Sequence, residues 1–264
     1  MRISNPIIFL IKNSFLIQKS VRDQIKKKNS GSILGVWWVL ISPLIFMSIY
    51  SAIYLVIFKV RPMEMDRVLY VIHIFSGIIS FLFHAEAISM GSSSLETNKD
   101  LLKNPVFPIE IVTVNTILSS TPSYLFGMIL IIIVSVFTNN FSYYSFLAPL
   151  FALMQIFFIT GITWIFSLVM LIVKDLKNII AYSNMILMVL SPIAYTPSMV
   201  PEQFQFLIWL NPLSYFVISN QYIFAKGSLP PFNILIVLTF LSIVTFFIGY
   251  NIFKKLKFEA SNYV

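Results

Sequence analysis

Two histidines, ten acidic residues and no cysteine limit the carboxylate–imidazole and metal sites that this chain could build. Without a thiol, disulfides, thiolate metal ligation and a Cys nucleophile are excluded. The tightest grouping is His73, His84 and Glu86, all within one apolar stretch from Val68 to Met90. Ionisable groups in such a stretch mark a proton or ion path when they are held deep. Counted from the outer end, His73 lies shallow, while His84 and Glu86 fall near the inner headgroups, where polar tips reach water. Interfacial snorkelling is therefore the plainer reading, and a proton relay the sharper one. No H-E-x-x-H occurs, and two His without Cys do not make a dedicated zinc site. The remaining acids are scattered, Asp175 in one turn and Glu202 in another, with no pair set for general acid and base work. A proton-coupled carrier would need carboxylates in several spans, and only Glu86 qualifies.

Nucleotide chemistry is missing as well. None of the eight glycines is followed by Lys and then Ser or Thr, so no G-x-x-x-x-G-K-[ST] phosphate cradle is encoded. The expectation is a chain with no catalytic, cofactor or metal residues, whose ATP and Mg²⁺, if any are used, belong to a partner.

The elements that would carry such side chains are membrane helices. Across 264 residues, 58% are hydrophobic and 11% charged, and the mean hydropathy is +0.88. That leaves too few charges to cover a water-soluble globule. The net charge of +8 could suggest nucleic acid, but the positive residues sit at the ends of apolar runs and form no single patch. They read as topology signals in contact with membrane lipid, with no nucleic-acid partner. Ile7 to Ile11 is too short for the apolar region of a cleavable signal, and Lys12 interrupts it.

The first 32 residues predict a cytoplasmic amphipathic helix. At 100° per residue, Leu10, Ile17, Val21 and Ile25 share one side, and Lys12, Lys19, Arg22 and Lys26 another, with Phe15 on the basic side. Asn29 to Ser32, with Gly31, would turn the chain from lying on the surface to spanning. Residues 33–264 then predict six transmembrane helices. Gly35 to Phe58, entered through Trp37 and Trp38, is the first, and Val68 to Met90 the second. An inner polar loop, 92–110, holds a short helix through Leu102, capped by Ser94 or Thr97 and ended by Pro105 and Pro108. Ile111 to Phe137 and Phe146 to Val173 follow, and a fifth span starts at Ile179. Phe204 to Ala225 is uncharged but cut by Asn211-Pro212 into pieces too short to cross. Read as a re-entrant hairpin on the outer side, 199–225, it leaves Phe232 to Phe253 as the sixth span. Fourteen of the 18 Lys and Arg then lie inside, against Lys59, Arg61, Arg67 and Lys226 outside. That bias puts both termini in the cytoplasm.

Aromatic residues make up 16% of the chain. Tyr and Trp can lie against sugar faces while hydrogen-bonding to hydroxyls. Tyr50 and Tyr54 share a helix face, and Tyr195 stands at the outer end of the fifth span. With Trp37 and Trp38 they are the candidate channel lining.

The order of RDQIKKKNSGSILGVWWVLISP, DLLKNPVFPIEI, VKDLKN and SPIAYTPSMVPEQFQFLIWLNPLSYF resembles the membrane subunit of ABC exporters for lipid-linked polysaccharides, the O-antigen, capsule and teichoic acid transporters. The likeness covers nearly the whole chain. It departs from the family pattern at Ile109, at Lys174-Asp175 and in the second span, which reads IISFLFHAEA. The resemblance implies a homodimer in the inner membrane, bound to two copies of a separate ATP-binding cassette subunit and moving lipid-linked glycan, most simply O-antigen, outwards. The loop from Glu96 to Pro108 would be the coupling helix. Its contact residues would be Glu96, Asp100, Leu101, Leu102, Lys103, Pro105, Phe107 and Pro108, together with Glu110. The N-terminal helix, with Arg22, Lys26 and Gly31, would be an interface helix. The hairpin would form an outer gate with Pro201, Trp209, Asn211, Pro212 and Tyr215. The rival readings are an exporter of a drug or lipid and a membrane-embedded glycan-modifying enzyme.

Overall fold

The computed structural model describes residues 5–28, 31–57, 59, 65–102 and 107–260. Among the described residues the secondary structure is helical and contains no strand.

The N-terminal segment forms two helices where one was expected, α1 (Pro6–Lys12) and α2 (Ser14–Lys28). The Asn5 side chain accepts from the Ile7 amide, and Pro6 sits in the first turn, where its missing N–H is not needed. Asn13 breaks the run by donating its side-chain amide to the Phe9 carbonyl at 2.8 Å. Phe9 and Ile17 are buried, whereas Ile11 and Phe15 are 66% and 81% exposed. The imperfect apolar stripe is thus real, and α2 lays it against the third spanning helix.

The reversal into the bundle uses two glycines rather than one. Gly31 and Gly35 have φ of +86° and +49°, a left-handed backbone that costs roughly 1–2 kcal/mol for a residue with a Cβ. Gly35 therefore belongs to the turn and not to the first span. A 3-10 turn, Gly35–Trp37, leads into α3 (Trp38–Ala52), which widens into a π-helical turn at Ile53–Ile57.

Five described segments are long and apolar enough to cross a membrane: Trp38–Ile57, Arg67–Ser92, Glu110–Phe137, Tyr143–Ile172 and Phe232–Lys257. They contain α3, α4 (Arg67–Ser92), α7 (Glu110–Phe137) and α8 (Ala148–Ile172), and the last lies within α12 (Phe232–Ala260). Between α4 and α7 lie α5 (Ser94–Thr97) and α6 (Lys99–Leu102). The expected fifth span is shorter. α9 (Leu176–Leu190) has 15 residues, about 22 Å at 1.5 Å per residue, against a hydrocarbon layer of about 30 Å. It stops at Ser191, whose backbone is extended ahead of Pro192, as the residue before a proline prefers.

The inner loop also differs from expectation. α5 and α6 are separated at Asn98, and neither Ser94 nor Thr97 caps. The Ser94 hydroxyl donates to Thr113 Oγ1 at 3.1 Å, and Thr97 donates back to the Ser93 carbonyl.

α4 is the hub. In its most apolar window 67% of the residues are buried, against 17% for α3, and it touches α3, α7, α8, α9 and α11 (Pro212–Gln221). α8 and α12 meet most closely. A Cβ on Gly161 would lie 2.1 Å from the Thr245 carbonyl oxygen, and one on Gly249 would lie 2.1 Å from that of Gly161. Small residues that let backbones touch are how apolar helices associate without a hydrophobic driving force.

A buried polar cluster ties four helices together. Gln155 Oε1 accepts from the Tyr124 hydroxyl at 2.7 Å and from Ser80 Oγ at 3.1 Å, while its amide donates to the Ser80 carbonyl. The Asn220 amide donates to the Tyr124 oxygen at 3.3 Å. Asn220 Oδ1 has no partner among the described residues, so the network is closed at Gln155 and Tyr124 but not at Asn220.

Candidate functional site

The inner loop is an edge with an anchored end. Asp100 is exposed and Glu96 half-buried. Leu101, Leu102 and Phe107 pack partly buried on a cluster that holds Phe9, Leu95, Ile111 and Trp164. Pro108 is half-buried. Lys103 and Pro105 lie outside the described residues. Glu110 differs from its expected neighbours: it is 3% exposed, its carboxylate pairs with Lys257, and its carbonyl accepts from Trp164 Nε1 at 3.1 Å. It opens α7, where a negative charge also suits the helix dipole. Glu110 is the anchor of the loop, turned away from its exposed rim.

Arg22 and Lys26 flank a wide apolar groove of about 620 Å³ between α2 and α7, floored by Val21, Ile25, Leu118 and Pro122. At its end Lys28 reaches across to Glu86 on α4. Glu86 Oε1 also accepts from Ser120 Oγ at 2.7 Å. This ion pair borders a cavity of about 300 Å³ between α3, α4 and α7, lined by Trp38, Ser42, Pro43 and Tyr124. The Trp38 indole donates to Ser32 Oγ at 2.9 Å and so closes over the turn. One side of the cavity is apolar and the other carries an ion pair and hydroxyls, a combination suited to an amphiphile.

Glu86 keeps partial access to water, as snorkelling requires, but the histidines do not. His73 is 1% exposed and His84 is 2% exposed. The snorkelling reading fails for both because the helices packed on α4 bury these two side chains. The relay reading gains nothing either. The two rings lie about three turns apart, and His84 stacks on Phe158, with 6.2 Å between centroids. No group of three or more His, Asp or Glu stands close enough to hold a metal among the described residues.

The aromatic candidates divide. Trp38 lines the inner cavity, whereas Trp37 is 66% exposed. Tyr50 and Tyr54 have ring centroids 4.9 Å apart. Tyr195 donates to the Leu190 carbonyl at 2.9 Å. Tyr70, which sequence reasoning missed, joins the cluster of Tyr50 and Tyr54 and donates to the Ala194 carbonyl at 2.6 Å.

The expected gate residues follow. Pro201 is exposed and precedes a 3-10 turn, Glu202–Phe204, that leads into α10 (Gln205–Leu210). Asn211 caps α11 by accepting from the Leu213 amide, and its own amide donates to Ser191 Oγ at 2.9 Å. Pro212 fills the first helical position. The Tyr215 hydroxyl donates to the Trp209 carbonyl at 3.0 Å, with the rings 5.9 Å apart. Gln221 donates to the carbonyls of Pro192 and Ile193, at 2.7 and 3.2 Å. Gln155, Asn220 and Gln221 also escaped sequence reasoning, although amides inside apolar runs are a readable signal.

Residues 16–225 match the ABC-2 type transporter membrane family. The chain belongs to that family. Curated relatives agree in extent: an O-antigen export system permease protein RfbA of Klebsiella pneumoniae is 27% identical over 238 residues, 89% of each chain. A second from the same organism is 25% identical over 89% of each. The protein of that name in Myxococcus xanthus is 21% identical over 92% of this chain and 93% of its own. The family match begins inside α2 and ends in the π-helical turn Tyr222–Lys226, so it takes in the groove helix, the inner loop and α11.

Proposed function

We propose that this chain is the membrane-spanning subunit of an ATP-driven exporter that carries lipid-linked polysaccharide of the O-antigen type across the inner membrane. The observation that carries this reading is the similarity, over about nine-tenths of the chain, to three permeases named for O-antigen export. The working unit is a homodimer joined to two ATP-binding cassette subunits, which hold the ATP and Mg²⁺.

The topology in this reading has six crossings, with α9 as the fifth, both termini in the cytoplasm, and α10 and α11 as a hairpin that dips in from the outer side and returns. The bond from Asn211 to Ser191, at the end of α9, supports the dip. The Ser145 hydroxyl, in the α7–α8 connection, donates to the Ile223 carbonyl at 3.3 Å, which supports the return. The exposed rim of α5 and α6, around Glu96 and Asp100, takes the push of the ATPase. ATP binding shifts the population of two arrangements of the bundle. The lipid carrier enters from the inner leaflet by the cavity under Trp38, and the sugars pass the tyrosines towards the outer side.

The test is export of surface glycan in cells lacking the native gene. Asp100→Arg inverts charge on the exposed rim without disturbing the core. It should abolish surface glycan while leaving membrane insertion and thermal stability intact, and Leu102→Asp should do the same with some loss of stability. Normal surface glycan in both variants, or loss of drug resistance instead of glycan in the deletion strain, sinks the reading.

A further inference from the structure

A second cavity, of about 350 Å³, lies between the segment Thr196–Ser198, α11 and the start of α12. In the topology above it opens on the outer side. Trp209 supplies an aromatic wall. The hydroxyls of Thr196 and Ser198, 2.9 Å apart, and the amide of Asn233 supply hydrogen-bonding groups. Lys226 stands at the rim, its ammonium 4.2 Å from the Tyr222 ring centroid, and no carboxylate pairs with it among the described residues. Among the described residues, no Asp or Glu lines the cavity. His73, in its wall, is 1% exposed, and the polar group facing its ring is the Tyr195 backbone.

The chemistry of the lining narrows the ligand. An aromatic face beside hydroxyls and an amide suits a ring that is apolar on its faces and hydroxylated at its edge. One cation without a counter-charge suits an acidic substituent, through a charge-assisted hydrogen bond. The volume is at the low end of ligand pockets, which run about 300–1,000 Å³, and holds one ring and not a chain. A phospholipid would need an apolar channel for its tails.

We propose that this cavity binds a single pyranose ring bearing a carboxylate or phosphate, a subsite on the outer side for the exported glycan. The proposal rests on the exporter reading, and it adds a preference for acidic sugars and a place where the chain is held after crossing.

The test uses the full-length protein in nanodiscs of zwitterionic lipid, titrated with glucuronic acid, glucose and inorganic phosphate while tryptophan fluorescence is followed. Glucuronic acid should quench saturably. Glucose and phosphate should each bind about tenfold more weakly, since each offers half of the recognition. Lys226→Ala should weaken glucuronic acid by about tenfold, Lys226→Arg should restore it, and Trp209→Phe should remove the signal. The proposal is overturned by no saturable response in the wild-type protein, by a response unchanged in Lys226→Ala, or by phosphate matching glucuronic acid, which would mark a plain anion site. Failure here with glycan export still dependent on Asp100 removes the subsite and leaves the exporter reading standing.

Discussion

Lys28, the last residue of α2, pairs with Glu86 near the C-terminal end of α4, and so fastens α2 to the hub of the bundle. The two side chains are 29% and 32% exposed, so water screens their attraction, and the pair contributes about 1 kcal/mol or less to stability. Its importance is positional: it sits at the wall of the inner cavity and at the end of the joint made by Gly31 and Gly35.

Separating the pair should therefore uncouple before it unfolds. Lys28→Ala and Glu86→Gln are each expected to lower the thermal midpoint by no more than about 4 °C, yet to reduce surface glycan severalfold. The exchanged pair, Lys28→Glu with Glu86→Lys, should recover most of the export. Full export in either single variant shows that the pair is a passive surface contact.

The α8–α12 crossing makes the opposite prediction, a loss of assembly. Gly161→Ala and Gly249→Ala each drive a methyl group into backbone atoms that cannot move aside. Overpacking of this kind costs roughly 1–3 kcal/mol, and the rigid neighbours put these sites at the upper end. At Gly91 the nearest obstacle is the Thr163 side chain, with Cγ2 at 2.9 Å, so Gly91→Ala should cost less. Heating each variant and measuring the monodisperse fraction by size-exclusion chromatography ranks them. Equal stability of Gly161→Ala and Gly91→Ala contradicts the close approach.

Gln155 tests the buried network. Gln155→Met keeps the side chain's length but leaves the Tyr124 and Ser80 hydroxyls without their acceptor, an expected loss of about 1–3 kcal/mol. Adding Tyr124→Phe removes one of those stranded groups, so the double variant should lose less than the sum of the single ones. Thermal midpoints of the four proteins measure the coupling. Strict additivity places the two residues in separate environments.

Much of this architecture was legible before any coordinates. The long apolar runs gave their own bounds to within a few residues, since crossing hydrocarbon demands about 20 uninterrupted apolar residues and the charged ends are easily seen. Two runs were exceptions: Gly35 looks like part of the first apolar segment and only its φ of +49° assigns it to the turn, and the run expected as the fifth span forms a helix of 15 residues that stops at Ser191. The inner loop was recognisable as a structured segment. Which of its residues face out was not: Asp100 and Glu110 look alike in sequence, and only the arrival of Lys257, 147 positions away, buries the second.

The sequence by itself determined that this is a helical membrane protein whose charges lie at the ends of apolar runs, because the cost of burying charge or unpaired backbone in lipid acts on each segment locally. It also determined the family, through short motifs kept in order. Only the tertiary structure decided which polar residues meet. Lys28 with Glu86, Tyr124 with Gln155, and His73 beside Lys226 come from segments far apart in the chain, and helix rotation and crossing decide whether such groups face lipid, one another or a cavity.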